Sequence, residues 1–289
     1  MSEGWTVGRV VVWAADDFRG RGIESPRLEA EILLAYALGI ERMRIILEPD
    51  RLLEDAELSR YRELIVRRRK GEPVAYLRGQ KEFYGRTFRV DRRVLVPRPD
   101  TEILVEIALR RTAARSMGAR YCDLCTGSGC VAISLARERP GCSLFAVDVS
   151  AEALAVARDN AVRLGAAHQI AWLEGDLFAP LARWPALKFE LVTANPPYIP
   201  EGDIPSLSLD IRGFEPHVAL SGGADGLDVV RRIARGAAER LVPGGVLALE
   251  VGSGQASRVA ELLGEAGLLD AKVDKDYGGH DRVVSGVAP

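Results

Sequence analysis

In "FELVTANPPYIP", residues 189–200, a strand-like run meets an asparagine, two prolines and a tyrosine. Prolines end a strand ladder because they lack the N–H, so a simple loop could have this sequence. The residue types also suit a particular chemistry. An amide or aryl-amine nitrogen is a poor nucleophile because its lone pair is delocalised into the neighbouring π-system. Two acceptors placed on its two N–H hydrogens would fix that nitrogen and favour a pyramidal, available lone pair. Asn195 offers a side-chain oxygen, and Pro196 a backbone carbonyl steadied by the restriction that Pro197 imposes on it. Tyr198 offers a flat face for a planar amide or base. Asn195, Pro196, Pro197 and Tyr198 are therefore candidate substrate-binding residues, with Asn195, Pro196 and Tyr198 as the catalytic candidates.

A second constellation lies upstream. "YCDLCTGSGCVAISLA", residues 121–136, reads as a strand, a glycine turn and a helix. Gly127 and Gly129 let backbone approach a ligand closely, and the turn resembles the nucleotide-binding fingerprint without its third glycine. Asp123 closes the strand, and a carboxylate beside a ligand suits a cation better than a pyrophosphate. Asp148, in "LFAVDVS", lies 19 residues after Gly129 (148 − 129), where α/β nucleotide sites place an acid for the ribose hydroxyls. Asp176, in "WLEGDLF", follows the third strand, where an adenine edge is expected. Any one of these acids could be a turn or cap residue. Together they fall at the carboxyl ends of neighbouring strands, where open parallel sheets bind ligands.

Acids without a phosphate-directed lysine favour a positively charged adenosine compound, S-adenosylmethionine, over NAD. The Asn-Pro-Pro-Tyr at the end of the fourth strand separates the two, because it would stand beside a methyl donor. Methyl transfer is an in-line displacement at carbon, driven by positioning and by loss of charge at sulfur. It requires no strong base beforehand.

These residues need a sheet to position them. From Pro99 onward strand and helix patterns alternate, with strands expected at 120–125, 143–148, 169–174, 189–194, 245–251, 269–274 and 281–287. Such alternation implies a mostly parallel seven-stranded α/β sheet covered on both faces. The last two strands are separated only by "KDYGGHD", too short for a parallel crossover, so they should form an antiparallel edge hairpin. That is not the dinucleotide-dehydrogenase pattern. Residues 1–75 read as a small helical domain and 76–97 as a β-hairpin connector, leaving 98–289 for the sheet. Ser25-Pro26 should start a helix with the apolar stripe Leu28, Ile32, Leu33 and Tyr36, closed by Gly39. A second helix should run from about Glu54 to Lys70, its early acids and its closing "RRRK" matching the helix dipole.

Composition excludes several classes. The 289 residues carry a net charge of −2, which argues against a protein whose main partner is a phosphate backbone. Residues 1–75 hold thirteen Arg/Lys and fourteen Asp/Glu, a net of −1, while 76–97 hold six and two, a net of +4. The latter suits a solvated hairpin face as well as a partner surface. No window approaches the ~18 or more apolar residues of a membrane span. Glu3 and the lack of a basic run before the first apolar residues argue against a signal peptide. The expected location is the cytoplasm. Cys122 and Cys125 form a C-x-x-C, but no second pair or nearby histidine completes a ligand set, so no metal site is expected.

The chain resembles the S-adenosylmethionine-dependent methyltransferases that modify a planar nitrogen through Asn-Pro-Pro-Tyr, and within them the release-factor glutamine methyltransferases (the HemK/PrmC family). The resemblance covers nearly the whole length: "GEPVAYLRGQKEFYGRTFRV", "VLVPRPDTE", "DLCTGSG", "NPPYIP", "EPHVALSGGADGLDVVRRI", "EVGSGQ" and "DYGGHDRVVSG". It implies a class I methyltransferase (Rossmann-like) sheet and S-adenosyl-L-methionine held by Cys125, Thr126, Gly127, Ser128, Gly129, Asp148 and Asn195. Asp176 is added to that set, with Leu177 or Phe178 as the adenine neighbour. The target implied is the glutamine side chain of the Gly-Gly-Gln loop of class-1 peptide chain release factors. The helical domain would then recognise the factor away from that loop. Cys125 replaces the family's first glycine of the turn, which a small side chain tolerates if its backbone is not left-handed. Arg98, Thr101 and Glu102 lie in the family's stretch beside the site, and Asp100 or Thr101 would also serve as an ordinary helix cap. Alternative activities are a ribosomal-protein glutamine methyltransferase, a nucleic-acid adenine methyltransferase, and a non-catalytic binding module. Direct nucleic-acid binding is not expected.

Overall fold

In the computed structural model, which describes residues 4–114 and 118–289, the chain divides into two units. Glu3, used above against a signal peptide, lies outside the described residues. The first unit runs to Gly79 and also takes in Ser208–Phe214. It is built from α1 (Val7–Arg19), α2 (Pro26–Leu38), α3 (Arg42–Leu47), α4 (Asp55–Arg69) and α5 (Val74–Arg78). Pro26 opens α2 and Gly39, at φ +66°, closes it, whereas Ser25 makes no cap bond. The buried face of α2 is Ala30, Leu33, Leu34 and Ala35, so of the expected stripe Leu33 is buried and Ile32 half-buried while Leu28 and Tyr36 are exposed. The small Ala30 and Ala35 admit close neighbours, and the Tyr61 hydroxyl of α4 donates to the Ala30 carbonyl at 3.0 Å. Helix α4 starts with a reciprocal capping box between Glu54 and Glu57. Its basic end is engaged internally: Arg67 with Glu72, Arg68 with Glu29 and Arg69 with Asp17.

The second unit opens with a hairpin, β1 (Gln80–Phe83) and β2 (Arg86–Arg89), and a single turn at Pro99–Thr101 leads into α6 (Glu102–Arg111). Then come β3 (Arg120–Leu124), α7 (Cys130–Glu138), β4 (Ser143–Asp148), α8 (Ala151–Arg163), β5 (Ile170–Glu174) and β6 (Phe189–Ala194). After α9 (Leu209–Arg212), which belongs to the first unit, follow α10 (Asp228–Arg240), β7 (Leu241–Glu250), α11 (Ala256–Glu265), β8 (Leu269–Lys275) and β9 (Asp281–Val287). The sheet order is β5-β4-β3-β6-β7-β9-β8. β9 runs antiparallel to both neighbours, closing the expected edge hairpin with β8. β7 begins at Leu241, earlier than expected, and a register shift opposite Phe189–Leu191 takes up the Pro243-Gly244-Gly245 stretch.

Alternate strand residues face opposite layers. Tyr121, Leu144, Leu191 and Val246 pack with α6, α7 and α8, whereas Cys122, Val192 and Leu247 pack with α10 and α11. With both faces covered, the β3, β4, β5 and β6 carboxyl ends form one open rim.

A candidate active site at the carboxyl rim of the sheet

That rim carries a cleft of 440 Å³. Six of the residues expected in the site line it: Cys125, Asp148, Asp176, Leu177, Asn195 and Pro197. Leu95, His217, Ser221 and Arg232 line it too, and no chemistry in the sequence pointed to them. His217, Ser221 and Arg232 fall in "EPHVALSGGADGLDVVRRI", whose resemblance was the only signal available.

The glycine turn is built differently from expectation at two places. Cys125 is left-handed, at φ +55°, so the condition for tolerating a side chain there is not met and its backbone is strained. Asp123 does not face the cleft. It is buried, and accepts hydrogen bonds from the hydroxyls of Thr126 at 2.6 Å and Thr193 at 2.7 Å. Burial pushes its carboxyl up to about 6 against those two bonds, so it ties the turn to β6 and is no ligand for a cation. Thr126 and Ser128 are buried behind the turn, and neither lines the cleft. Gly129 caps α7 at φ +79°, where a Cβ would meet Ile133 and Ala157 at 3.0 and 3.1 Å. A Cβ on Gly127 would enter open space.

Asp148 holds the turn from the next strand. Its two oxygens accept the N–H groups of Gly127 at 2.8 Å and Ser150 at 2.9 Å. Burial raises its carboxyl above the usual range, and these backbone bonds oppose the rise. Behind the turn, fully buried Asn160 donates to the Ser128 and Arg89 carbonyls, both at 3.0 Å, tying the turn to the hairpin. Asp176 is paired with Arg232 of α10. Of the two adenine candidates, Leu177 lines the cleft at φ +49°, while Phe178 packs inward against Gly236.

The acceptor corner is held by groups distant in sequence. The Asn195 Nδ2 donates to the Thr101 hydroxyl at 3.1 Å, and the same hydroxyl favours the ionised form of the nearby Glu250 carboxyl. Neither Asp100 nor Thr101 caps α6, because Asp100 pairs with Arg282 at 3.1 Å and Thr101 serves Asn195. Glu102 turns away to accept the Tyr84 N–H at 2.8 Å. Arg98 grips buried Glu215, with Nη2 2.8 and 2.7 Å from its two oxygens. Pro196 is buried and Tyr198 half-buried, and neither lines the 440 Å³ cleft. Burial and the nearby Glu250 charge push the Tyr198 phenol up to about 12, so it stays protonated. Its backbone carbonyl accepts from Gln255 Nε2 at 2.9 Å.

The donor set fits S-adenosylmethionine. Among the described residues no lysine lines the cleft and its one lining guanidinium is taken by Asp176, while Asp148 stands at the carboxyl end of β4. Bare Gly127 leaves room for a ligand against the turn. Among the described residues no cluster of three or more His, Cys, Asp or Glu could hold a metal, and no helix is long and apolar enough to cross a membrane.

Comparison with known proteins adds to this geometry. Residues 9–79 match the PrmC N-terminal domain and residues 100–206 the methyltransferase small domain. A release factor glutamine methyltransferase of Geobacter sulfurreducens is 42% identical over 282 residues, 98% of this chain and 96% of its own. One of Moorella thermoacetica is 44% identical over 262 residues, 90% of this chain and 91% of its own. The crystal structure of a methyltransferase from Pyrococcus furiosus shares the fold at 18% identity, with a TM-score of 0.53, covering 79% of this chain and 98% of that one.

Proposed function

This chain belongs to the release factor glutamine methyltransferases, and we propose on that footing that it methylates the side-chain amide nitrogen of the Gly-Gly-Gln glutamine in class-1 peptide chain release factors. One observation carries the reading: Asn195 shares a cleft with Asp148, so an amide acceptor and a cofactor-type carboxylate face the same space.

Bound in that cleft, S-adenosyl-L-methionine supplies a methyl carbon made electrophilic by a sulfonium. Asp148 would hold the ribose hydroxyls, the turn Cys125–Gly129 would lie against the amino-acid part, and Leu177 would pack on the adenine with Asp176 at its edge. Asn195 Oδ1 and the Pro196 carbonyl would accept the two amide N–H hydrogens of the glutamine. That fixes the nitrogen and frees its lone pair from the carbonyl π-system. Tyr198, neutral because of its burial, would offer its ring to the amide plane, and Pro197 keeps the loop rigid. The N–C bond forms as the C–S bond breaks, and the sulfonium leaves as a neutral thioether. No base is needed before transfer, since the nitrogen becomes acidic only as the new bond forms and then releases one proton to solvent. The helical unit would recognise the factor away from its Gly-Gly-Gln loop, a role supported by exposed Trp5, Trp13, Met43 and Leu47 on that unit.

A methyl-transfer assay offering a release factor, a ribosomal protein and duplex DNA side by side tests the assignment. Labelling of the factor on its Gly-Gly-Gln glutamine is expected, with Asn195→Ala inactive yet folded. Labelling of DNA and not of the factor would overturn it.

A further inference from the structure

Glu250 is an ionisable group buried at the rim that the methyl transfer leaves unused. Glu250, the last residue of β7, is 1% exposed, and its Oε2 has no hydrogen-bond partner among the described residues. A buried carboxyl short of partners is costly, so its place beside a site asks for a reason. β6 and β7 run parallel with Ala194 opposite Leu249, which brings Asn195 and Glu250 to adjacent strand ends. Thr101, 2% exposed, stands between them: its hydroxyl accepts from Asn195 Nδ2 and lies close enough to the Glu250 carboxyl to favour its ionised form.

A threonine hydroxyl has one proton to give, and an ionised carboxylate only accepts. With Glu250 ionised, Thr101 must donate to it and can only accept from Asn195. The Asn195 NH2 then faces Thr101, and its oxygen is left for the other side. With Glu250 protonated, the chain of donors can reverse. Thr101 then donates to Asn195, and the amide turns its NH2 to where the oxygen stood. We propose that Glu250 is a positioning residue which, through Thr101, holds the Asn195 amide with its oxygen toward the acceptor nitrogen. The proposal rests on the acceptor role given to Asn195 above.

The charged and titratable groups facing Glu250 come from four directions. Arg98 and Asp100 precede α6, Arg282 lies on β9, Tyr198 on the loop after β6, and Cys130 at the start of α7. Arg282 is shared with Asp276 at 3.0 Å and Asp100 at 3.1 Å, so it is not dedicated to Glu250. Burial, eased by the Thr101 hydroxyl and Arg282, raises the carboxyl to about 7, so both protonation states are populated in neutral solution.

The test compares full-length wild type with Thr101→Val, Thr101→Ser and Glu250→Gln. In Thr101→Val, kcat on a release factor should fall about tenfold with KM for S-adenosylmethionine within about twofold of wild type, and Thr101→Ser should restore kcat. Wild-type kcat should rise with pH through about 7, and that limb should vanish in Thr101→Val and Glu250→Gln. Without cofactor or factor, the 15N-detected Asn195 NH2 signals should move across the same range in wild type and stay still in Glu250→Gln. Wild-type kcat and an unchanged pH limb in Thr101→Val would overturn the proposal, and so would NH2 signals that move equally in Glu250→Gln. The NH2 titration decides the matter even if Thr101→Val fails to fold. A wild type unable to label the factor would overturn the substrate assignment alone, because the NH2 titration needs no substrate.

Discussion

Gln255 reaches back from the start of α11 to hold Tyr198: its Nε2 donates to the Tyr198 carbonyl at 2.9 Å, while its Oε1 accepts the Gly252 N–H at 3.0 Å. One side chain thus fixes the far end of the Asn-Pro-Pro-Tyr loop against the loop after β7. Replacing it by leucine keeps the bulk and removes both bonds. The loop should loosen, and kcat should fall about tenfold, the equivalent of about 1.4 kcal/mol. Binding of S-adenosylmethionine, measured by calorimetry, should be unchanged, and an equal loss of cofactor affinity would place Gln255 in a general structural role.

Asp148 accepts two backbone N–H groups and also lines the cleft. Hydrogen bonds to a charged acceptor contribute roughly 1.5–3 kcal/mol. Asp148→Ala should therefore weaken S-adenosylmethionine binding by about ten- to a hundredfold, as read by calorimetry. An unaltered Kd would remove Asp148 from the cofactor site.

Cys125 carries a side chain at φ +55°. A left-handed residue with a Cβ costs roughly 1–2 kcal/mol relative to glycine. Cys125→Gly should be more stable than Cys125→Ala by about 1 kcal/mol in urea unfolding, since both lose the thiol and only glycine relieves the backbone. Equal midpoints for the two would mean that the turn relaxes without cost.

Glu250 should make stability fall as pH rises. Its carboxyl moves from 4.5 when unfolded to about 7 when folded, so the folded state holds the proton more tightly. The stability this contributes is fully present below about 4.5 and is lost by the time pH has passed about 7, a change of about 3 kcal/mol. Asp123, raised from 3.8 to about 6, acts in the same direction. Unfolding of wild type and Glu250→Gln at pH 5 and pH 8 separates the two, because only the Glu250 part disappears in the variant. Parallel pH profiles for the two proteins would show that Glu250 keeps an ordinary carboxyl in the fold.

The local features were legible where neighbours in the chain cause them. Strand patterns alternating with helical ones gave six of the seven sheet strands to within a residue or two, and the short "KDYGGHD" required the reversed β9. β7 was read too short, because Pro243 and the two glycines after it hide a strand that continues through a bulge. The face of α2 differs from the spacing pattern for another reason: Leu33 is buried as expected, but the face turns toward Leu34 and the small Ala30 and Ala35, leaving Leu28 and Tyr36 exposed. Asp123 misled in the same way, since a strand-end acid looks the same in sequence whether it points to the cleft or back to Thr193.

By itself the sequence determined the repertoire at the rim: a glycine turn, three strand-end acids and an amide followed by two prolines, each set by short-range propensity and spacing. Only the tertiary structure decided which of these groups meet. Thr101 and Asn195 are 94 positions apart, and Asn195 and Glu250 become neighbours solely because β6 pairs with β7. Hydrogen bonds of that reach follow from strand order and burial, to which no local pattern of residues is sensitive.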